Sequence, residues 1–440
     1  MKFYKRITLL LVCLALTLSL FSCSELKKDA DSSNPQGSTE VTDGSDAPAE
    51  PGSSNDLMTG ISPTAVTART PDERFINSTA DFAFKIFKES SASSEENTLV
   101  SPLSVLLALA ITANGAEGET KAQMEALIGG EIPLQELNEY LKTFAEALYS
   151  GEGAKLSVAN SIWFRETGFI PNEDFLRTNA NYYNASAYKA PFDDSTLKDI
   201  NDWVSEKTDG LIENILDKIP EAAVMYLINA LVFDAEWKTA YESYSVFNGK
   251  FKKEDGTEQS VEMMSSDENR FIETENAKGF IKPYKEGYSF VALLPNEGLG
   301  IDSYVADLTG ESFVSAIKNA KTQSVYTVLP KFSFEYDIEM KSVLESLGMT
   351  DAFSASKADL SSLGTCPEGN IYLSRVIHKT FIEVDEEGTK AAAATVIEAL
   401  AEGCIVYENE VVLDRPFVFA IIDNNTSLPV FLGTVKDMAE

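Results

Sequence analysis

Histidine is nearly absent: the chain of 440 residues has one, His378. A zinc site built on histidines is therefore excluded. A serine hydrolase would have to use His378 beside a serine on an elbow turn, and no G-x-S-x-G occurs. The phosphate-binding G-x-x-x-x-G-K-[ST] is missing, as is a dinucleotide-binding glycine pattern after a strand. Carboxylates are plentiful, so composition leaves a paired-carboxylate glycosidase open without supporting it. Basic charge is scarce: 36 Lys and Arg face 69 Asp and Glu, a net charge of -33. Such a surface repels nucleic acid and anionic lipid, so no nucleic-acid partner is expected, and its ordinary effect is solubility. Cysteine is scarce as well. Cys13, Cys23, Cys366 and Cys404 show neither a disulfide framework nor metal-ligand spacing. No metal or cofactor is expected, and the fold must rest on its own apolar core, which about 370 residues can supply.

The N-terminus reads as a targeting segment. Lys2, Lys5 and Arg6 precede an apolar run from Ile7 to Phe21, too short for a membrane span. The run ends at Leu20-Phe21-Ser22-Cys23, which resembles the bacterial lipobox. That resemblance implies a signal peptide over residues 1–22, cleavage before Cys23, and diacylglyceryl attachment to its sulfur. Several acyl chains on one cysteine anchor a protein stably. The expected location is the outer face of a bacterial membrane, as an exported, cell-surface lipoprotein. Residues 23–70 read as an acidic, disordered tether: "DSSNPQGSTEVTDGSDAPAEPGSSND" nearly lacks large apolar residues. The folded domain is expected over 71–440.

Within that domain, Phe75, Thr79, Phe82, Ala83, Ile86 and Phe87 recur at helical spacing. Ser101-Pro102 opens a strongly apolar helix, with Ser as cap and Pro in the first turn. Further helices are expected at 117–127, 131–149 and 196–217. Strands are expected at 156–164, 224–233, 271–284, 288–294, 324–334 and 411–422. Helices mostly early and strands mostly late indicate an α+β class.

An ordered series of motifs then resembles the serpin family over nearly all of residues 70–440. It runs "NTLVSPLSV" (97–105), "NGAEGET" (114–120), "LSVANSIWF" (156–164), "INDWVSEKTDGLI" (200–212), "LINALVFDAEW" (227–237), "VEMM" (261–264), "LPKF" (329–332), "LESLGM" (344–349), "LSRVIHKTFIEVDEEGTKAAAAT" (373–395) and "RPFVFAI" with "VFLGTV" (415–435). The resemblance implies a serpin fold of about nine helices and three β-sheets with an exposed reactive-centre loop. It implies an inhibitor, not an enzyme. A serine protease would cut the loop and form a covalent acyl-enzyme, after which the freed hinge would enter the main sheet as a new strand.

The resemblance assigns roles residue by residue. The hinge is Glu386, Glu387, Gly388 and Thr389, followed by Ala391, Ala393 and Thr395. In a strand, the face from Thr389 carries Ala391, Ala393, Thr395, Ile397 and Ala399, all uncharged. Lys390 and Glu398 fall on the other face and are expected to stay in solvent. Ser101, Ser104, Asn229 and His378 match the shutter, a polar patch under the sheet centre. Trp237, Lys331 and Glu386 match the breach, where the hinge would enter, with Lys331–Glu386 an expected ion pair. Counting along the loop places the scissile bond at Glu402-Gly403, with Cys404 and Ile405 as alternatives. No Lys or Arg lies between Lys390 and Arg415, which disfavours trypsin-like targets. Elastase-like or subtilisin-like proteases are expected, and a glutamyl endopeptidase would suit Glu402. Helix 117–127 offers one base, Lys121, so no activation by heparin is expected. The protein is expected to be a monomer.

Overall fold

The computed structural model describes residues 55–149, 154–367, 369–389 and 408–438. Cys23, Ala391, Ala393, Thr395, Glu402, Gly403, Cys404 and Ile405 lie outside the described residues, as do the signal peptide and most of the tether. Among the described residues there are nine α-helices and three sheets. The α+β class and the expected count of elements are met.

The helices are α1 (Glu73–Ala92), α2 (Pro102–Ala113), α3 (Gly118–Ile128), α4 (Leu134–Tyr149), α5 (Glu173–Tyr182), α6 (Asp194–Lys207), α7 (Ile301–Asp307), α8 (Gly310–Lys318) and α9 (Lys341–Ser346). Asp72 caps α1 by accepting the Phe75 N–H at 3.0 Å, and its apolar stripe is buried. All twelve residues of α2 are buried, as suits a helix that is apolar on every side. The helix expected over 196–217 stops at Lys207, because Asp209 (φ 52°) and Gly210 (φ 79°) take left-handed conformations.

The seven-stranded sheet runs β1 (Asn55–Asp56), β5 (Ser186–Ala190), β3 (Ala154–Arg165), β6 (Met225–Glu236), β15 (Gly388–Thr389), β14 (Arg375–Val384), β12 (Phe332–Glu339). Strands β6 and β14 are parallel and pair directly from Tyr226↔Arg375 to Leu231↔Thr380. At their C-terminal ends they part, and β15 stands between them. One face of this sheet covers α2. The other buries Tyr226, Ile228, Ala230 and Ile377 with Ile200 and Val204 of α6.

The nine-stranded sheet runs β16 (Asn409–Val412), β11 (Lys321–Pro330), β8 (Glu258–Glu273), β9 (Ala277–Pro283), β10 (Tyr288–Pro295), β17 (Phe417–Asp423), β18 (Pro429–Val435), β2 (Thr98–Val100), with β7 (Val246–Lys252) on β8. A short pair, β4 (Ile170–Pro171) with β13 (Gly364–Thr365), forms the third. The single strand expected at 271–284 is the end of β8 and all of β9. Between them Thr274 takes the Ala277 N–H at 3.0 Å and turns the chain. The chain therefore leaves one sheet at Thr389 and joins the other at Asn409.

The tether boundary at 70/71 needs correction. Strand β1 pairs antiparallel with β5 at Asn55↔Lys189 and Asp56↔Tyr188. Leu57, Met58 and Ile61 pack against the core, and the Arg69 side chain pairs with Glu136 and Glu139 at 3.1 and 3.2 Å. Three apolar residues inside a polar stretch suffice to hold it.

Candidate functional site

The site has two centres along the seam between β6 and β14. At the open end, the chain turns sharply after β14. Asp385 accepts the Glu387 and Gly388 N–H groups at 2.8 and 3.0 Å through one carboxylate oxygen, and burial nonetheless pushes its pKa up. The turn is sewn to the end of β6: the Trp237 N–H donates to the Glu387 carbonyl at 2.8 Å, the Trp237 indole N–H to the Asp385 carbonyl at 2.9 Å, and the Tyr241 N–H to the Glu386 carbonyl at 2.8 Å. Gly388 and Thr389 then lie antiparallel to Glu236 and Ala235, with Thr389 also opposite Val384. A side chain at position 388 is impossible in this place: an added Cβ would stand 2.2 Å from the Ala235 carbonyl oxygen. Glu386, Glu387, Gly388 and Thr389 thus stand together where β6 and β14 part.

Trp237 and Lys331 are beside it. The Trp237 ring stacks on Tyr284 at 4.4 Å between centroids and 8° between planes. The Tyr284 hydroxyl meets the Thr389 hydroxyl at 2.5 Å. Lys331 Nζ lies 2.6 Å from a Glu386 oxygen, so the expected ion pair is present. Burial opposes both charges, but their hydrogen bond and mutual attraction outweigh it, raising the Lys331 pKa and lowering that of Glu386. Sequence reasoning missed Lys282, whose side chain is 2% exposed. Its ammonium sits 2.7 Å from Glu268, 4.1 Å from the centre of the Tyr241 ring and 5.4 Å from that of Trp237. The signal for it was a lysine set among Phe280, Ile281 and Pro283 in a strand.

The second centre lies at mid-sheet, over the start of α2. Here β3, β6 and β14 bring Asn160, Asn229 and His378 level across three strands. The Ser101 N–H donates to His378 Nε2 at 3.0 Å. A backbone N–H can only donate, so Nε2 is bare and Nδ1 carries the proton, which it gives to Asn229 Oδ1 at 2.6 Å. Ser104 Oγ donates to the same oxygen at 2.7 Å, and Asn229 Nδ2 donates to Asn160 Oδ1 at 2.5 Å. All four expected members, Ser101, Ser104, Asn229 and His378, are brought together and buried. Asn160 is the member that sequence reasoning missed; it stands inside the quoted "LSVANSIWF", but only the register reveals its neighbour. Complete burial drives the His378 pKa down to about 3. A neutral, fully bonded imidazole with no approach from solvent is a structural group, unsuited to general acid–base work.

A family model described as Serpin (serine protease inhibitor) matches residues 77–438. The structure of a thermophilic serpin, Tengpin, in its native state is similar with a TM-score of 0.85 and 53% identity, covering 87% of this chain and 99% of that one. Neuroserpin of Homo sapiens is 30% identical over 388 residues, 84% of this chain and 92% of its own length. Leukocyte elastase inhibitor A of Mus musculus is 31% identical over 372 residues, 80% of this chain and 97% of its own.

Proposed function

Because the chain belongs to the serpin family, we propose that it inhibits serine proteases as a suicide substrate. A protease cuts within residues 401–406 and forms an acyl-enzyme with the loop. The freed segment then extends β15 between β6 and β14, and trapping is a race between insertion and deacylation. The observation that carries this reading is the placement of Gly388 and Thr389: the first rungs of the new strand already stand between β6 and β14. Further along, β6 and β14 pair directly with each other, so a longer β15 would enter by parting them. Insertion adds backbone hydrogen bonds and buries apolar surface, which makes the uncut state metastable and kinetically held.

Elastase-like or subtilisin-like proteases are the proposed targets. The 391–414 stretch lacks Lys and Arg, and a relative bears the name leukocyte elastase inhibitor. Glu402 at Glu402-Gly403 would instead serve a glutamyl endopeptidase, and Cys404 or Ile405 an apolar pocket. The lipobox-like segment supports export and anchoring through Cys23, with the acidic tether as spacer. No heparin activation and a monomeric state complete the proposal.

The test is to mix the chain with an elastase, a subtilisin and a glutamyl endopeptidase, run denaturing gels, and weigh the released C-terminal fragment. A denaturant-resistant complex is expected, with the fragment mass fixing the scissile bond. Clean loop cleavage without a complex from all three would overturn the trapping mechanism for these targets and leave a serpin fold that serves as a binding protein.

A further inference from the structure

Among the described residues three large apolar side chains are exposed: Ile170, Tyr244 and Phe247, at 61, 75 and 44%. Two of the three stand three residues apart in the chain. Tyr244 lies in the 3-10 turn Ser243–Ser245 and Phe247 in β7, which pairs with β8 alone among the described residues. The neighbouring Val246 and Val261 pack against the core, so packing claims the valines and leaves the two rings outside. A single exposed apolar residue is ordinary. Two aromatic rings on one short segment are the side chains that protein interfaces favour.

The segment sits by both ends of the proposed bait. On one side, the Tyr241 N–H donates to the Glu386 carbonyl at 2.8 Å, just before the chain leaves the seven-stranded sheet at Thr389. Tyr244 is three residues beyond Tyr241, within about 11 Å of it even along an extended chain. On the other side, Val412 of β16 stands opposite Val328, Val328 stands opposite Ser265, and the Ser265 hydroxyl donates to the Ser245 carbonyl at 3.4 Å. Some three inter-strand spacings, about 14 Å, thus separate the turn from the strand on which the chain returns. A specific interface takes roughly 20–30 residues and about 800 Å² from each partner, an area about 30 Å across. The bait window 401–406 is too short to supply that alone. A protease seated on it must also meet the surface beside the ends of the bait stretch, and that surface includes the two rings.

We propose that Tyr244 and Phe247 form an accessory docking surface for the target serine protease, gripping it beside its active-site cleft while the bait fills the cleft. This rests on the inhibitor reading given above, but on no movement of the hinge. The edge does not suit a second copy of this chain. Each copy carries a net charge of -33, which repels another, and Lys250 and Lys252 on the same strand guard its free edge against strand pairing. A protease needs no strand pairing to cover two rings; an apolar patch on the rim of its cleft suffices. Because the contact is made before the bond is cut, it sets how fast a protease is engaged. It leaves alone how the acyl-enzyme then divides between trapping and release. It also gives the chain a choice among proteases that is separate from the fit of the bait residues.

The test uses the full chain, its variants Tyr244→Ser, Phe247→Ser and the two combined, and Ile170→Ser as a control on the small third sheet. All three positions are exposed, so thermal midpoints should stay at the wild-type value. Each protein is mixed with an elastase, a subtilisin and a glutamyl endopeptidase. The first readout is the second-order rate constant for loss of intact chain, which counts cutting and trapping alike. The second is the number of inhibitor molecules consumed per protease trapped. Against at least one protease the double variant should be engaged about tenfold more slowly, the scale of a lost aromatic anchor. The second readout should not change, and I170S should match the wild type. Equal rates for the wild type and the double variant with all three proteases overturn the surface and leave inhibition standing. An equal fall in I170S also overturns it, because any exposed apolar residue would then serve. Cutting without a complex from all three overturns the inhibitor reading, and the cutting rates then decide the surface by the same comparison. A chain that all three leave intact overturns both. A wild-type dimer that the double variant disperses, seen by sedimentation, would give the patch to a second copy and overturn the protease as its occupant.

Discussion

Tyr284 and Thr389 hold each other by their hydroxyls, 2.5 Å apart, where the two large sheets meet. Both residues are buried, and the tyrosine ring is clamped flat against Trp237. Burial pushes the Tyr284 pKa far up, so the phenol stays protonated at every working pH. Tyr284→Phe keeps the stack and strands the Thr389 hydroxyl. The uncut chain should lose about 1–3 kcal/mol in urea unfolding, the cost of a buried polar group without a partner. An unchanged midpoint would show that the bond holds nothing.

Acid should destabilise the uncut chain through one residue. His378 is neutral in the fold down to pH about 3, whereas an unfolded histidine gains its proton near pH 6.5. The unfolded state therefore binds more protons below that value, so the stability this group contributes is complete above pH 6.5 and lost progressively as pH falls toward 3. Between pH 7 and 5.5 the loss should be about 1 kcal/mol. His378 is the chain's single histidine, so His378→Gln should flatten the profile in that window. Equal slopes in urea titrations of the two proteins would refute the assignment.

Gly388→Val should separate cutting from trapping. The backbone of Ala235 and Glu236 lies 2.2 to 3.0 Å from where a Cβ would be, and backbone cannot step aside as a flexible side chain can. The variant should still be cut in its loop but form little covalent complex, as seen on denaturing gels. A normal yield of complex would mean that insertion does not begin at this glycine.

Lys282 should respond differently to removal of its charge than to removal of its volume. It lies between Glu268 and two aromatic rings with almost no exposure, and burial lowers its pKa against the pull of the carboxylate. Lys282→Ala leaves Glu268 buried alone and opens a gap, so a loss of about 3–5 kcal/mol is expected. In Lys282→Met combined with Glu268→Gln the volume returns and the lone charge is gone, so most of that loss should be recovered in thermal unfolding. Equal destabilisation by both would show that the charges themselves are needed.

Much of this architecture is legible in the sequence where a periodic pattern coincides with a cap or a turn. Asp72 before α1 and Ser101-Pro102 before α2 mark true helix starts, and β10 and β17 follow their apolar runs. Strand β8 is the opposite case. Its sixteen residues, "EQSVEMMSSDENRFIE", show little alternation, because burial is confined to Met263, Met264, Phe271 and Ile272. Its extended form is imposed by neighbours on both sides, which is tertiary information. The same divide runs through the site. The hinge and its glycine are legible only through the serpin resemblance of the motif that carries them. Asn160, Lys282 and the Tyr284–Thr389 bond are not, because each depends on a partner from a distant part of the chain.

The polar cluster at mid-sheet acts as a watershed. The His378–Asn229 bond crosses the very seam that a new strand must open, with Ser104 held on the Asn229 bank and Ser101 on the His378 bank. A strand inserted there, as proposed, would spread the two by one inter-strand spacing, about 4.8 Å. The imidazole N–H would lose its acceptor, and the Asn229 amide oxygen would keep only the Ser104 hydroxyl. The uncut sheet is thus latched at mid-height by a bond that any longer β15 would have to break.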